Sequence, residues 1–209
     1  MVRVEVQSSV KELPPGQRLV RRFIIYAALG VPSINPDEWR LRVGGLVDRE
    51  LEFTYENLVR EAPNVTLKRD FHCVTGWSVA DVTWEGVPLR WFAERAGVKP
   101  EAEWVMFGCA DGYTSIITLE DALSDDAIVA LKIDGKLLSI EQGFPARPFI
   151  PHLYGWKSAK WLTEIEFMKH YVDGYWELYG YHEVGEVWRE ERFKSGSGRH
   201  VKRSPLRVT

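Results

Sequence analysis

One cysteine in this chain has neighbours that can make its sulfur reactive. It lies in Asp70-Phe71-His72-Cys73-Val74-Thr75-Gly76-Trp77-Ser78, a thiol between an imidazole and a small turn broken by glycine. Cysteine does redox or metal chemistry as the thiolate, which a nearby positive charge or backbone N–H favours. Val74-Thr75-Gly76 reads as a turn able to aim such N–H groups at the sulfur or at a ligand. The plainer alternative is a buried small residue, as free cysteines often are. A second stretch, Gln142-Gly143-Phe144-Pro145-Ala146-Arg147 onward to Gly155-Trp156-Lys157-Ser158-Ala159-Lys160-Trp161, joins small residues to Arg147, Lys157 and Lys160. Small residues let a backbone approach something closely. Arginine adds a planar fork for phosphate and lysine a point charge. Together they suit an anionic cofactor tail, or else form a solvated basic loop.

Zinc is a competing use of His72, Cys73, Cys109 and His152. No CxxC or HxxxH spacing supports it, and adjacent residues of a strand point to opposite faces. A hydrolase is disfavoured by the lack of a G-x-S-x-G elbow. The two cysteines make no disulfide framework and fit a reducing compartment. A net charge of -3 gives no global attraction to nucleic acid. Met1 to Val6 shows no apolar signal core, and no apolar run approaches the ~18 residues of a membrane span. A cytoplasmic protein is expected.

The 209 residues and 45% hydrophobic content allow one sizeable core. Trp39, Leu41 and Val43 alternate with Arg40 and Arg42 as in a half-buried strand, and Leu51 and Phe53 repeat this before Thr54, the cap of a short helix through Arg60. Val65, Leu67, Arg69 and Phe71 alternate up to Cys73, which falls at a strand end, where loops commonly present chemistry. Trp84 to Val87 lead to a helix with Pro88 in its first turn and Gly97 as its stop. Trp104 to Phe107 and Thr114 to Thr118 form a hairpin around Asp111-Gly112, and Thr118 caps a further short helix with Asp121 reaching back. Ala127 to Ile133 and Leu137 to Ile140 form another hairpin about Asp134-Gly135. Arg147 to Pro151 and Lys160 to Met168 are the last strands. Many strands with a few short helices, without βαβ alternation, predict an α+β protein with a mixed, mostly β core. One domain is expected over 1–193, with an N-terminal arm at 1–19 and a flexible basic tail at 194–209.

In this order and spacing, the segment His72 to Ser78, Trp84-Glu85-Gly86-Val87-Pro88-Leu89, Asp111-Gly112-Tyr113, and Gly143 to Arg147 through Lys160-Trp161 closely resemble the catalytic domain of the sulfite oxidase family of molybdenum enzymes. The likeness is to the small stand-alone prokaryotic members and covers roughly residues 20 to 193, including Gly180-Tyr181-His182 through Trp188 to Phe193. Several motifs in register are far more specific than any one alone. The resemblance implies a sulfite-oxidase-type molybdopterin-binding fold and a molybdenum held by one molybdopterin and by the thiolate of Cys73. It implies oxygen-atom transfer at that metal. Gln142 stands where the bacterial methionine-sulfoxide-reductase branch has a pterin-contacting asparagine, Arg147 matches its pterin-binding arginine, and Ser158, Ala159 and Lys160 match its phosphate-side segment. Cys109 falls on a cofactor-contacting threonine, and Tyr26 lies where the family's N-terminal arm touches the pterin. His72, Trp77, Asp111 and Tyr113 are candidates for the substrate pocket. Animal and plant sulfite oxidases carry an arginine pair where this chain has Trp77-Ser78, which weakens the case for sulfite, since an anion in a closed site needs compensating charge. The expected substrate is a small oxyanion or sulfoxide-like molecule. With no haem domain visible, a separate electron-transfer partner is expected. The alternatives are a reductase of S- or N-oxides and a non-catalytic descendant that binds a partner.

Overall fold

Alternation of apolar and charged residues builds two mixed sheets. In the computed structural model, residues 12–194 are described. Residues 1–11 of the expected arm and 195–209 of the expected tail lie outside them. The strands, in chain order, are β1 (Arg18–Leu19), β2 (Arg40–Gly45), β3 (Leu51–Thr54), β4 (Val65–Cys73), β5 (Trp77–Pro88) and β6 (Trp104–Cys109). They continue with β7 (Thr114–Thr118), β8 (Ile128–Ile133), β9 (Lys136–Leu137), β10 (Arg147–Phe149) and β11 (Leu162–Met168). The first sheet runs β1-β5-β8-β10, with β4 also on β5 and β9 on β8; the second runs β3-β2-β11-β6-β7. Most pairs are antiparallel, but β1 joins β5 and β2 joins β11 in parallel. The expected α+β, mostly β architecture is what forms.

Strand β8 shows why the first sheet is buried on both faces. Ile128 and Ala130 point into one apolar cluster, with Phe71, Trp77, Trp84 and Phe149, while Val129 and Leu131 point into a larger one. That larger cluster takes Leu41 and Val43 from β2 and the buried face of helix α2 (Leu89–Ala96). On α2, Leu89, Phe92, Ala93 and Ala96 form the i, i+3, i+4, i+7 stripe of a core-facing helix. Helix α1 (Tyr55–Glu61) starts where expected, the Thr54 hydroxyl accepting the Asn57 N–H at 3.1 Å. Helix α3 (Leu119–Ala122) is capped in the same way by Thr118.

Four boundaries differ from the sequence reading. The expected strand Leu137 to Ile140 shrinks to β9, because the chain leaves the sheet for turns in which the Gly143 N–H bonds to the Ile140 carbonyl and the Phe144 N–H to the Ser139 carbonyl. Strand β10 stops at Phe149, before Pro151. Strand β11 begins at Leu162, because Trp161 adopts φ 60°, outside the extended region. Trp84 to Val87 do lead into a helix, as the second half of β5, but Pro88 closes that strand and caps α2, which begins at Leu89, instead of lying in its first turn. Of the expected arm, Arg18 and Leu19 join the first sheet as β1.

Candidate functional site

Cys73 closes β4 and pairs with Trp77 across a tight reversal, Val74-Thr75-Gly76, in which the Gly76 N–H donates to the Cys73 carbonyl at 3.0 Å. Its sulfur lies 3.2 Å from the Thr75 hydroxyl and is partly accessible. Strand alternation puts Cys73 on the side of Phe71, and the two share one apolar cluster. His72 faces the other way. Its Nδ1 is 2.8 Å from the Ser78 hydroxyl, which donates to Gln17 Oε1 at 3.0 Å; with that hydrogen spent, Nδ1 is the donor to Ser78. His72 borders a cleft of about 330 Å³ shared with Asp70, Asp126, His152 and Trp188, away from the Cys73 face. The structure therefore does not bring His72 and the Cys73 sulfur together. Beside Cys73 stand aromatic groups instead. Val74 packs against the buried cluster of Tyr154, Trp156 and Val187, as do Trp176 and Tyr181. The Tyr181 phenol is pushed up by burial and by its nearness to Cys73 and Tyr26, and the Tyr26 ring lies 6.2 Å from Trp176.

Arg147 organises the other half. It is buried on β10, with Nε donating to the Ser158 hydroxyl at 2.9 Å, Nη2 to the Ser158 carbonyl at 2.8 Å and Nη1 to the Gln142 carbonyl at 2.9 Å. Its guanidinium lies 5.6 Å from the centroid of the Phe71 ring, which places it on the Cys73 side of β4. Three of its five N–H donors are thus fixed. No carboxylate lies within ion-pair distance of it among the described residues, and burial draws its pKa down to about 10. Lys160 reaches the Glu141 carbonyl at 3.1 Å and lies 4.2 Å from the Trp161 ring. Burial first, then the neighbouring Arg147 charge, lower its pKa to about 8, against the opposing pull of Asp111 and Glu141. Ser158 and Ala159 are buried between these two cations.

The remaining candidates hold the frame. Cys109 ends β6, buried beside Asp111 and Arg147; burial and then Asp111 push its thiol up, so it stays protonated. Asp111 accepts the Tyr113 N–H at 3.0 Å, the turn chemistry that Asp-Gly-Tyr already suggested. The Tyr113 hydroxyl donates to the Trp156 carbonyl at 2.7 Å, and its pKa is raised well above the ordinary value, mainly by burial. Gln142 spends its side-chain oxygen on the Ser139 N–H at 3.0 Å. Lys157, expected beside Arg147 and Lys160, is instead turned inward. Its ammonium donates to Glu177 at 2.6 Å, to the Ile116 carbonyl at 2.7 Å and to the Glu183 carbonyl at 2.5 Å, which uses its three donors. No cluster of three metal-ligating side chains exists among the described residues. Sequence reasoning did not single out Gln17 or Tyr181, because only long-range packing brings them beside Cys73.

This arrangement belongs to a known class. Residues 28–176 match the oxidoreductase molybdopterin binding domain family, and the chain is a member of it. It is 41% identical over 182 residues to the uncharacterized oxidoreductase YuiH of Bacillus subtilis, covering 87% of this chain and 91% of that one. It is 32% identical to the "Putative protein-methionine-sulfoxide reductase subunit YedZ1" of Azospira oryzae, over 82% of this chain and 66% of that one. It is 30% identical to the inducible NADH nitrate reductase 1 of Glycine max over 70% of this chain, but spans only 20% of that protein. Among solved structures, the sulfane dehydrogenase SoxCD of Paracoccus pantotrophus superposes with a TM-score of 0.61 at 26% identity, over 68% of this chain and 41% of that one. The protein is therefore an oxidoreductase that uses molybdenum bound to molybdopterin.

The residues fit that cofactor. A buried arginine without a carboxylate partner is costly unless an anion compensates it. Arg147 is in that position, with Lys160 beside it, as an anionic pterin phosphate requires. Of the two thiols, Cys73 alone is accessible at a turn, and a soft thiolate suits a soft, cofactor-borne metal.

Proposed function

We propose that the chain is a single oxidoreductase domain in which Cys73 supplies the protein ligand to molybdenum, while Arg147 and Lys160 hold the pterin phosphate. The observation that carries this reading is the buried, carboxylate-free Arg147 lying over Phe71, on the same side of β4 as the Cys73 sulfur. Ser158 and Ala159 line the phosphate side, and Cys109, Gln142 and Tyr26 border the pterin. When bound, the cofactor supplies two-electron oxygen-atom transfer. The chain's own work is to present one thiolate, to neutralise the phosphate and to wall the approach with the aromatic groups around Val74. Asp111 and Tyr113 act by holding the turn beside Cys109, and His72 by its bond to Ser78.

The substrate is a small molecule with an oxygen atom to accept or release. At the position of the family's sulfite-binding arginines, Trp77 is buried against Phe71, and Ser78 is fully buried with its hydroxyl given to Gln17. Neither brings a cation, and the relative named for methionine sulfoxide reduction supports the second reading, an S-oxide reductase. In that direction a sulfoxide takes two electrons and two protons to give a sulfide and water. A separate electron-transfer partner delivers the electrons. No helix of the described residues is long and apolar enough to cross a membrane. The two unpaired cysteines support a reducing compartment, the cytoplasm.

The test is metal analysis of protein purified from a host that makes molybdopterin, beside Cys73→Ser. The expected result is close to one molybdenum per chain with a sulfur-to-metal absorption that disappears in the variant. An unchanged absorption in Cys73→Ser would refute the ligand role.

A further inference from the structure

The reversal that carries Cys73 is gripped from outside the hairpin by two side chains. Gln17, in the segment leading into β1, donates from Nε2 to the Cys73 carbonyl at 3.1 Å and accepts at Oε1 from the Ser78 hydroxyl at 3.0 Å. Arg192, near the other end of the described chain, donates from Nη1 to the Val74 carbonyl and from Nη2 to the Pro15 carbonyl at 3.1 Å. Its Nε lies 3.2 Å from a Glu190 oxygen and its guanidinium 5.1 Å from the Tyr154 ring centroid, so the fork is held on all sides. The backbone closes the same gap. The Arg18 N–H donates to the Gly76 carbonyl at 3.1 Å. A Cβ on Gly76 would sit 2.9 Å from the Gly16 oxygen, and one on Gly16 would sit 2.7 Å from Arg192 Nη2; both glycines have positive φ, +91° and +67°. A side chain at Gly76 would strike backbone, and one at Gly16 would have to push the Arg192 guanidinium aside. The C-terminal segment is tied in turn to the aromatic wall, since Tyr181 bridges Phe193 and the His182 N–H donates to the Arg192 carbonyl.

A three-residue reversal on its own can rotate its peptide planes, and each rotation swings the Cys73 side chain. The carbonyls of Cys73 and Val74 belong to the two peptide planes that follow the cysteine. Each is tied by a side chain far away in sequence, 56 residues for Gln17 and 118 for Arg192. We infer that Gln17 and Arg192 are positioning residues that fix the direction of the Cys73 sulfur, an inference that rests on Cys73 being the molybdenum ligand. Groups around a metal ligand orient it and tune the metal even though they never touch it. A tolerance of about 0.5 Å in such a constellation demands this kind of support.

The test uses Gln17→Leu, Arg192→Lys and Gly16→Ala, with Arg189→Ala, an exposed arginine beside Glu186, as the control. Lysine keeps the charge of Arg192 but cannot span two carbonyls. In metal-free protein, hydrogen exchange of residues 73–78 is expected to run about tenfold faster in the three variants and unchanged in the control, the effect of losing about one hydrogen bond at the turn. In loaded protein, the sulfur-to-metal absorption and the electron paramagnetic resonance spectrum of the one-electron-reduced centre are expected to shift. Lower molybdenum content with faster exchange confined to 73–78 also supports the inference, because a displaced thiolate binds less metal. Unchanged exchange and unchanged spectra in Gln17→Leu and Arg192→Lys would overturn it, and so would faster exchange spread over the whole chain. The exchange result does not depend on the metal. If Cys73→Ser keeps the absorption, the ligand reading fails alone, and exchange still decides whether the turn is held.

Discussion

Two cysteines and three basic side chains looked equivalent in type, and their surroundings divide them. Burial and the Asp111 charge keep the Cys109 thiol protonated, while Cys73 sits at an accessible turn. Lys157 is neutralised by Glu177, whereas Arg147 and Lys160 make no ion pair among the described residues and bond only to carbonyls and a hydroxyl. Removing the fork with Arg147→Ala is expected to lower the molybdenum and pterin retained after purification at least tenfold, and Arg147→Lys should recover little, since a point charge cannot bond Ser158 twice. Undiminished occupancy would show that the phosphate is held elsewhere. The proposed contact of Lys160 with the phosphate predicts a pH dependence of definite sign for this affinity. Its pKa in the cofactor-free protein is about 8, and a bound phosphate must raise it, so below pH 8 the lysine is charged in both states and binding is full. Above pH 8 the free protein must take up a proton in order to bind, and retention should fall by up to ~10-fold per pH unit. Lys160→Met should bind more weakly and lose that slope, as titration of cofactor release between pH 7 and 9.5 would show. Residue types and their order put Cys73, Arg147 and Lys160 forward as candidates, and the resemblance supplied their proposed roles. Lys157 could not be told apart from them, because Ile116, Glu177 and Glu183 converge on it only after folding.

Elements were legible where one period held throughout. Alternation marks β4 from Val65 to Cys73, and the Thr54 and Thr118 caps mark α1 and α3. Strand β5 was not legible, and its register shows why. Trp77 and Val79 face the same apolar cluster as Val82 and Trp84, so the inward side changes from odd to even positions between them. An irregularity in the pairing falls there: Arg69 opposes Val82 while Phe71 opposes Val79, which leaves an extra residue on β5. Asp81 takes it up at φ 57°, with its N–H bonded to an Asp70 carboxylate oxygen at 2.9 Å. A strand that changes parity halfway does not alternate in sequence. Glycine accepts that conformation, whereas a β-branched residue resists it. Asp81→Val should therefore cost about 1–2 kcal/mol in urea unfolding and Asp81→Gly much less. Equal losses would mean that the conformation at Asp81 is not what sets the register.

At the scale of the whole molecule, one buried ion pair ties together segments far apart in the chain. The Lys157 ammonium meets Glu177, the Ile116 carbonyl on β7 and the Glu183 carbonyl, while Trp156 adds its indole N–H to the same Glu177 oxygen at 3.0 Å. Both charged side chains are almost wholly enclosed, at 1% and 0% exposed. Breaking such a pair strands a charge, whereas replacing both partners does not. Lys157→Met should thus cost about 3–5 kcal/mol, a fall of roughly 10 °C in Tm for a chain of this size. Lys157→Met combined with Glu177→Gln should recover part of that loss. The same pair separates framework from site. Trp156, which shares Glu177 with Lys157, receives the Tyr113 hydroxyl through its carbonyl and packs beside Val74, next to Cys73. At a temperature where it remains folded, Lys157→Met should bind molybdenum as well as the wild type does, in contrast to Arg147→Ala. Loss of metal from Lys157→Met without loss of stability would place this lysine on the phosphate after all, and would make the basic run from Arg147 to Lys160 one anion site rather than a site and a strut.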